Sequence, residues 1–311
     1  MEYQLSIKEN ALDSFNEALA KFEQGESGKI RNYKFAILHL CHFLELVLKL
    51  YVTSVDKNLV FSKCYKHVEN RAKKETINLL QSYQLMCREG FDFEALLTNI
   101  PHPHTITLDD ALEFSKCEKC SVTGVDFVGV DFCNDIDWLK GLRNSIEHYQ
   151  FSLPPKEVRL CIGRLIRGVA EFIDIFSLFD LEAEVGKESY HVFEALADEY
   201  AQLLKEAERE VAEKEAERYG GVSPKHYELI EWNVYQCPEC SNNTMMPSND
   251  SSTGYKCAFC LNEKSDEIRI PCNCCGAMET VEDMATWEMN DGTVENRCYF
   301  CTGQYYADKD D

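Results

Sequence analysis

Paired cysteines in the last quarter of the chain place the strongest constraint on its fold. Nine of the 16 cysteines in this 311-residue sequence lie between Cys237 and Cys301, and most of them form C-x-x-C pairs. The start of the chain, MEYQLSIKEN, lacks the apolar core of an export signal. A cytoplasmic location is therefore expected, where thiols stay reduced and disulfides are rare. Metal coordination is the expected role of such pairs.

The cysteine pairs form two units of four ligands each. Sixteen residues separate the two pairs of the first unit, and twenty-two separate those of the second. Two such turns can place four thiolates in a tetrahedron around Zn²⁺ at a Zn–S distance of about 2.3 Å. The predicted ligands are Cys237, Cys240, Cys257, Cys260, Cys272, Cys275, Cys298 and Cys301. We predict two structural zinc ions and no catalytic metal, since four cysteines leave no open coordination position.

Two further cysteine questions stay open at the level of sequence. Cys274 is surplus in the second unit and can replace Cys272 as a ligand. Cys117-Glu-Lys-Cys120 lacks an obvious partner pair. Either His102, His104 or Cys133 completes a third metal site there, or these are ordinary thiols near a helix end.

The first half of the sequence predicts one helix after another. Apolar residues at helical spacing predict a first helix that stops at Gly25 and a second one, apolar on most faces, from Ile30 to Ser54. A third is predicted from Cys64 to Arg88, and a short one begins at Thr107, where a Thr–Asp capping pair is present.

Two longer helices complete the predicted bundle. One covers Asn134 to Tyr149, and Pro154-Pro155 separates it from another that ends near Asp180. The predicted fold class is mainly α: an up-and-down bundle of about five or six helices, a long connector helix and a small cysteine-rich zinc-ribbon region. The predicted domains are residues 1–185, 186–221 and 222–311.

The connector and the tail differ from the bundle in their charge. Residues 186–221 carry a narrow apolar seam at a/d spacing on a charged helix, ended by Gly220-Gly221. The chain through Asp180 has 21 Lys+Arg against 26 Asp+Glu, so most of the net charge of −22 lies in the remainder. Such an acidic tail is poorly suited to a phosphate backbone and favours a protein partner, such as a trigger or inhibitor.

One motif in the predicted bundle contains candidate catalytic residues. Arg143-Asn144-x-x-x-His148 lies late in the bundle, and Asn144 and His148 are one helical turn apart. Arg143 and His148 point about 140° apart on an ideal helix. They converge on one substrate only through the reach of arginine, a helix distortion or a second chain.

This motif and its setting resemble HEPN domains over about residues 9–180. The early helix YKFAILHLCHFLELVLKLYV, with Glu45 and Lys49 one turn apart, is similar to the second helix of that family. The resemblance implies a metal-independent endoribonuclease of toxin or antiviral-defence type, acting on RNA in a cleft between two subunits of a homodimer. It implies general acid–base work for His148, phosphate binding for Arg143 and an orienting role for Asn144.

The family resemblance leaves other roles to be weighed. Polar residues of the second helix, His42, Glu45 and Lys49, are candidates to line the cleft. Arg143 and Glu147 are also spaced for a simple ion pair on one helix face. The alternative function is a non-catalytic adaptor that binds protein or RNA partners. No membrane association is expected, because charges and histidines interrupt the longest apolar stretch.

Overall fold

The computed structural model describes residues 5–98, 100–119, 123–148, 155–220, 232–251, 253–265, 267–281, 283–289 and 294–303. The chain divides into two compact units, Met1–Tyr200 and Ala201–Asp311. The described residues are mainly helical in the first unit and carry short strands and cysteine clusters in the second. The predicted fold class is therefore confirmed.

Ten helices occur in the described residues. They are α1 (Ile7–Glu26), α2 (Arg31–Val55), α3 (Ser62–Glu75), α4 (Leu79–Arg88), α5 (Phe93–Leu97), α6 (Leu108–Ser115), α7 (Val130–His148), α8 (Pro155–Ile175), α9 (Leu181–Val185) and α10 (Lys187–Tyr219). The last of these, α10, begins in the first unit and continues into the second.

Helix α2 is the centre of the first unit. It packs against α1, α6, α7 and α8, and residues such as Ile37, Val47 and Leu48 are completely buried. By length and composition α2 is apolar enough to cross a membrane, but 67% of its most apolar window is buried inside the unit. A central bundle helix has this character because neighbouring helices cover it on most sides.

The capping residues explain where several helices begin. Ser6 and Glu9 form a capping box at the start of α1, and Thr107 and Asp110 form the predicted one at the start of α6. Near the end of α1 the ring of Tyr33 approaches so closely that a side chain at Gly25 would meet it at 2.5 Å. The start of α2 can therefore fold back on α1.

Three helix boundaries differ from the sequence-based prediction. The single helix predicted from Cys64 to Arg88 is wrong, because Thr76 adopts a left-handed conformation with φ 57° and Asn78 caps a new helix. Helix α7 begins at Val130 rather than Asn134. Helix α8 ends at Ile175 instead of near Asp180, and Ser177 beyond it has φ 49°.

The first turns of α10 belong to the bundle core. Phe193 and Leu196 are buried with the apolar residues of the other helices. The backbone of α10 approaches α8 so closely that a Cβ on Gly163 would lie 2.1 Å from the carbonyl oxygen of Leu196. The predicted connector is thus one continuous helix in the described residues, and its N-terminal part is a packed bundle element.

The second unit contains three separate two-stranded antiparallel sheets among its described residues. They pair β1 (Met245–Pro247) with β2 (Tyr255–Cys257), β3 (Arg269–Pro271) with β4 (Met278–Thr280), and β5 (Ala285–Glu288) with β6 (Val294–Arg297). Isolated hairpins of this length are at best marginally stable in water. Five of the ten buried residues in the cluster around them are cysteines, so the stability of this unit is expected to depend on the sulfur atoms.

Candidate functional site

A cleft of about 540 Å³ opens in the first unit between α2, α7 and the segment that leads into α6. Six of its thirteen lining residues are charged. The charged and amide side chains that line it are Glu45, Lys49, Asp109, Lys140, Arg143, Asn144 and Glu147. Helix α2 and helix α7 thus bring Arg143 and Asn144 together with Glu45 and Lys49.

Glu45 of α2 forms ion pairs with Lys49 of the same helix and with Arg143 of α7. Lys49 is only 7% exposed, and its ammonium group donates to Glu45 Oε1 at 2.7 Å and to Thr105 Oγ1 at 3.1 Å. Arg143 Nη1 donates to Glu45 Oε2 at 3.2 Å. The other side of the guanidinium is held by Glu147, whose Oε1 accepts from Arg143 Nε at 3.1 Å. The ion pair predicted from the i, i+4 spacing is therefore confirmed.

These contacts keep Glu45 and Arg143 ionised. Burial alone would raise the pKa of Glu45, but the charge and hydrogen bonds of Lys49 and Arg143 outweigh it and lower that pKa. Burial likewise opposes the charge of Arg143, whereas the carboxylates of Glu147 and Glu45 raise its pKa. A phosphate that enters the cleft would therefore meet a charged guanidinium with two carboxylates beside it.

His148 lies on the last turn of α7 and is not among the side chains that line the cleft. Its side chain is 75% exposed, and Nε2 lies 3.9 Å from Glu147 Oε2. Asn144 is exposed and does line the cleft. Within one chain, Arg143 and Asn144 thus share a cleft while the imidazole is presented to solvent beside it.

His42 does not line the cleft either. Its Nδ1 lies 2.8 Å from Ser14 Oγ on α1, and partial burial lowers its pKa. Of the three polar residues singled out on α2, Glu45 and Lys49 line the cleft and His42 faces α1.

Sequence reasoning missed a buried ion pair in the same unit. Asp135 Oδ1 accepts from Arg164 Nε at 2.6 Å, and both side chains are almost completely buried. The Arg164 guanidinium also stacks over the Trp138 ring, 4.5 Å from its centroid. The available signal was an arginine inside the apolar run RLCIGRLIRG, which requires a buried partner.

Two groups of four cysteines in the second unit are arranged as metal sites. Within each group the sulfur atoms all lie within 4.8 Å of one another. The distances are 3.5 Å from Cys237 Sγ to Cys260 Sγ and 3.7 Å from Cys275 Sγ to Cys298 Sγ. Four sulfurs in a tetrahedron at a metal–sulfur distance of about 2.3 Å are about 3.8 Å apart. All eight predicted ligands are present in these two groups and fit a tetrahedral ion.

The backbone around the cysteine pairs is shaped to present the sulfur atoms. In three of the pairs the residue after the second cysteine adopts a left-handed backbone conformation. These residues are Ser241, Leu261 and Gly276, with φ between 56° and 74°. The N–H of Cys298 donates to Cys272 Sγ at 3.3 Å and, together with the backbone N–H groups of Cys275 and Cys274, lowers the pKa of that thiol. A thiolate is the form that binds metal.

The open questions on the remaining cysteines are answered in part. Cys274 is exposed and lies outside the second group, so Cys272 is the ligand candidate. Cys120 lies outside the described residues. Among those that are described, Cys117, Cys133, His102 and His104 form no group of three or more metal-ligand candidates.

No family model, curated protein or solved structure matches this chain. The geometry of the cleft and of the cysteine groups is therefore the basis on which a function can be proposed.

Replacing Glu45 by glutamine tests the charge arrangement of the cleft. The variant leaves the buried Lys49 ammonium without a carboxylate, so we expect the free energy of unfolding at neutral pH to fall by about 1–3 kcal/mol. The folded-state pKa of Glu45 lies below its ordinary value of 4.5. Its contribution is therefore present above pH 4.5 and is lost as the pH falls through the folded value.

The measurement is urea unfolding of both proteins across that pH range. The difference between them should shrink as the solution becomes more acidic than about pH 4.5. Glu69→Gln is the control, because it removes an equivalent but exposed pair with Lys73 and should change the free energy by less than about 0.5 kcal/mol. Equal effects of the two variants would contradict this account of the cleft.

The metal content of two cysteine variants tests whether Cys272 or Cys274 is the ligand. Cys272→Ser should reduce the metal content of the purified protein from two ions to one per chain, whereas Cys274→Ser should leave it at two. Elemental analysis of both variants checks this. Loss of an ion in Cys274→Ser, or none in Cys272→Ser, would show that the ligand assignment is wrong.

Proposed function

We propose that the first unit is a metal-independent endoribonuclease of the toxin or antiviral-defence type. The observation that carries this proposal is the cleft in which Arg143 and Asn144 stand together, with the exposed His148 imidazole on the same helix. RNA suits this set because its ribose 2′-hydroxyl serves as the nucleophile. The protein then needs only to move protons and to stabilise charge on the phosphate.

In the proposed reaction His148 acts as the general base or acid. An imidazole has an ordinary pKa near ~6.5, so it can take the 2′-hydroxyl proton or deliver one to the leaving 5′-oxygen at neutral pH. Attack of the 2′-oxygen on the adjacent phosphorus forms a 2′,3′-cyclic phosphate and breaks the P–O5′ bond. The second product carries a 5′-hydroxyl group.

Arg143 supplies the positive charge in this scheme. Its planar guanidinium can bind two phosphate oxygens at once and stabilise the negative charge that develops on them. Glu45 and Glu147 hold it in the cleft, which limits the freedom lost when RNA binds. Asn144, one turn before His148, orients the imidazole ring or a phosphate oxygen.

A homodimer brings the two groups to one phosphodiester. In the single chain His148 is exposed and outside the cleft that holds Arg143. A symmetric pair of chains that meet along α7 would place the imidazole of one subunit over the arginine cleft of its partner. The helical unit therefore acts as the proposed enzyme only when it is paired.

For the second unit we propose two structural Zn²⁺ ions. Four-cysteine donor sets with this sulfur spacing are the preferred environment of zinc in proteins. Because each site would carry four thiolates around one Zn²⁺, the acidic character of this unit increases. We propose that it binds a protein trigger or inhibitor rather than the RNA itself, in a cytoplasmic setting.

The second candidate function is a non-catalytic adaptor. It is favoured by the two carboxylates that already hold Arg143. In that case the cleft residues stabilise the bundle, and both units serve only to bind partners.

RNA cleavage by the purified full-length protein separates the two functions. We expect His148→Ala and Arg143→Ala to lower kcat/KM on a labelled single-stranded oligoribonucleotide by about 10²–10⁴-fold each, because each removes a group needed in the transition state. Cleavage in the wild type should give a 2′,3′-cyclic phosphate and continue in EDTA. The deoxy version of the oligonucleotide should not be cut.

Two matched variants control for folding. Arg159 is also held by two carboxylates, Glu26 at 2.8 Å and Glu199 at 2.9 Å, and His191 is also an exposed histidine beside a glutamate. Arg159→Ala and His191→Ala should cleave like the wild type. A wild-type protein without ribonuclease activity, or controls that lose as much as the test variants, would favour the adaptor.

A further inference from the structure

A second, smaller cavity lies at the opposite end of α7 from His148. It has a volume of about 150 Å³ and is formed by the start of α7, the preceding loop and the C-terminal half of α8. The nineteen residues of α7 rise about 27 Å from Val130 to His148. The cavity and the arginine cleft share no lining residue. None of its lining residues takes part in the proposed cleavage.

Aromatic rings form the walls of this cavity. Phe132 stacks on the buried Phe172 with their centroids 5.4 Å apart, and Phe127 at the mouth is 36% exposed. The mouth has further exposed apolar surface, with Ile175 at 40% and the adjacent Val130 at 75%. Aromatic rings attract cations through their negative faces.

The floor of the cavity is a buried carboxylate that lacks part of its hydrogen bonding. Asp135 Oδ1 is bound by Arg164 Nε, whereas Arg167 Nη2 lies 3.7 Å from Oδ2, beyond hydrogen-bond distance. Among the described residues, no group donates a hydrogen bond to Oδ2. Burial raises the pKa of Asp135 and outweighs the opposing effect of the two arginines.

The charges around the cavity favour a cation. Asp131 and Glu171 line the cavity and are exposed, whereas Asp135 is buried between the guanidinium groups of Arg164 and Arg167. Three carboxylates against two guanidinium groups leave a negative balance. The Arg167 guanidinium lies over the Tyr200 ring, 5.1 Å from its centroid, and is thereby held at one side.

We propose that this cavity binds a protonated amine or guanidinium group carried on a short apolar body. The cationic group donates a hydrogen bond to Asp135 Oδ2 and lies against the rings of Phe132 and Phe127. The apolar body covers the exposed side chains at the mouth. The ligand is either a free small amine or a lysine or arginine side chain presented by a partner.

Calorimetric titration of the full-length protein with benzylamine tests the proposal, with benzyl alcohol as the uncharged probe of the same shape. Benzylamine should bind saturably and raise the Tm, and benzyl alcohol should do neither. Glu171→Gln and Phe132→Leu should each weaken benzylamine binding by about fivefold or more. Glu157 is an exposed carboxylate on α8, the helix of Glu171, but it does not line the cavity. Glu157→Gln should therefore leave benzylamine binding unchanged.

A second arm identifies the source of the cation. The probe is the capped tripeptide Phe-Lys-Phe, compared with its norleucine analogue. Tighter binding of the lysine peptide than of benzylamine assigns a partner side chain, and the reverse order assigns a free amine. The proposal is overturned if neither charged probe saturates, if the uncharged probes bind equally well, or if Glu171→Gln and Glu157→Gln behave alike. None of these outcomes depends on RNA cleavage.

Discussion

The burial of the Lys49 ammonium group fixes the arrangement of the cleft. Lys49 is only 7% exposed on a helix covered by α1, α6, α7 and α8, so its ammonium group requires a carboxylate beside it. Glu45, one turn earlier on the same helix, supplies that carboxylate. Its second oxygen remains available and binds Arg143 of α7. The Lys49–Glu45 pair on the central helix thus helps to hold Arg143 at the cleft.

The parts of this structure that follow from the spacing of residues in a motif were predictable from the sequence. The eight cysteine ligands follow from their spacing, and the Arg143–Glu147 pair follows from one helical turn. The contact between Arg143 and Glu45 joins residues 98 positions apart, so no local pattern contains it. The orientation of His42 toward Ser14 was missed for the same reason, because helix packing decides which part of a polar stripe faces a cleft.

The helix breaks that were missed have a different cause. Thr76 and Ser177 adopt left-handed conformations, which favour glycine or asparagine, and neither residue type signals them. In the second unit Ser241 and Leu261 do the same directly after a C-x-x-C pair. There the geometry needed to gather four sulfur atoms outweighs the local preference of the residue. The apolar core of that unit is small, so metal–sulfur bonds are expected to hold it together.

The central claim is that Arg143 of one subunit and His148 of its partner act on the same phosphodiester. Mixing the inactive Arg143→Ala and His148→Ala proteins, after exchange of subunits, tests it directly. In a mixed pair one site has lost both groups and the other retains both. Random exchange in a symmetric dimer should therefore restore about a quarter of the wild-type cleavage rate. If the mixture stays as inactive as its two components while subunit exchange is complete, the shared site is contradicted.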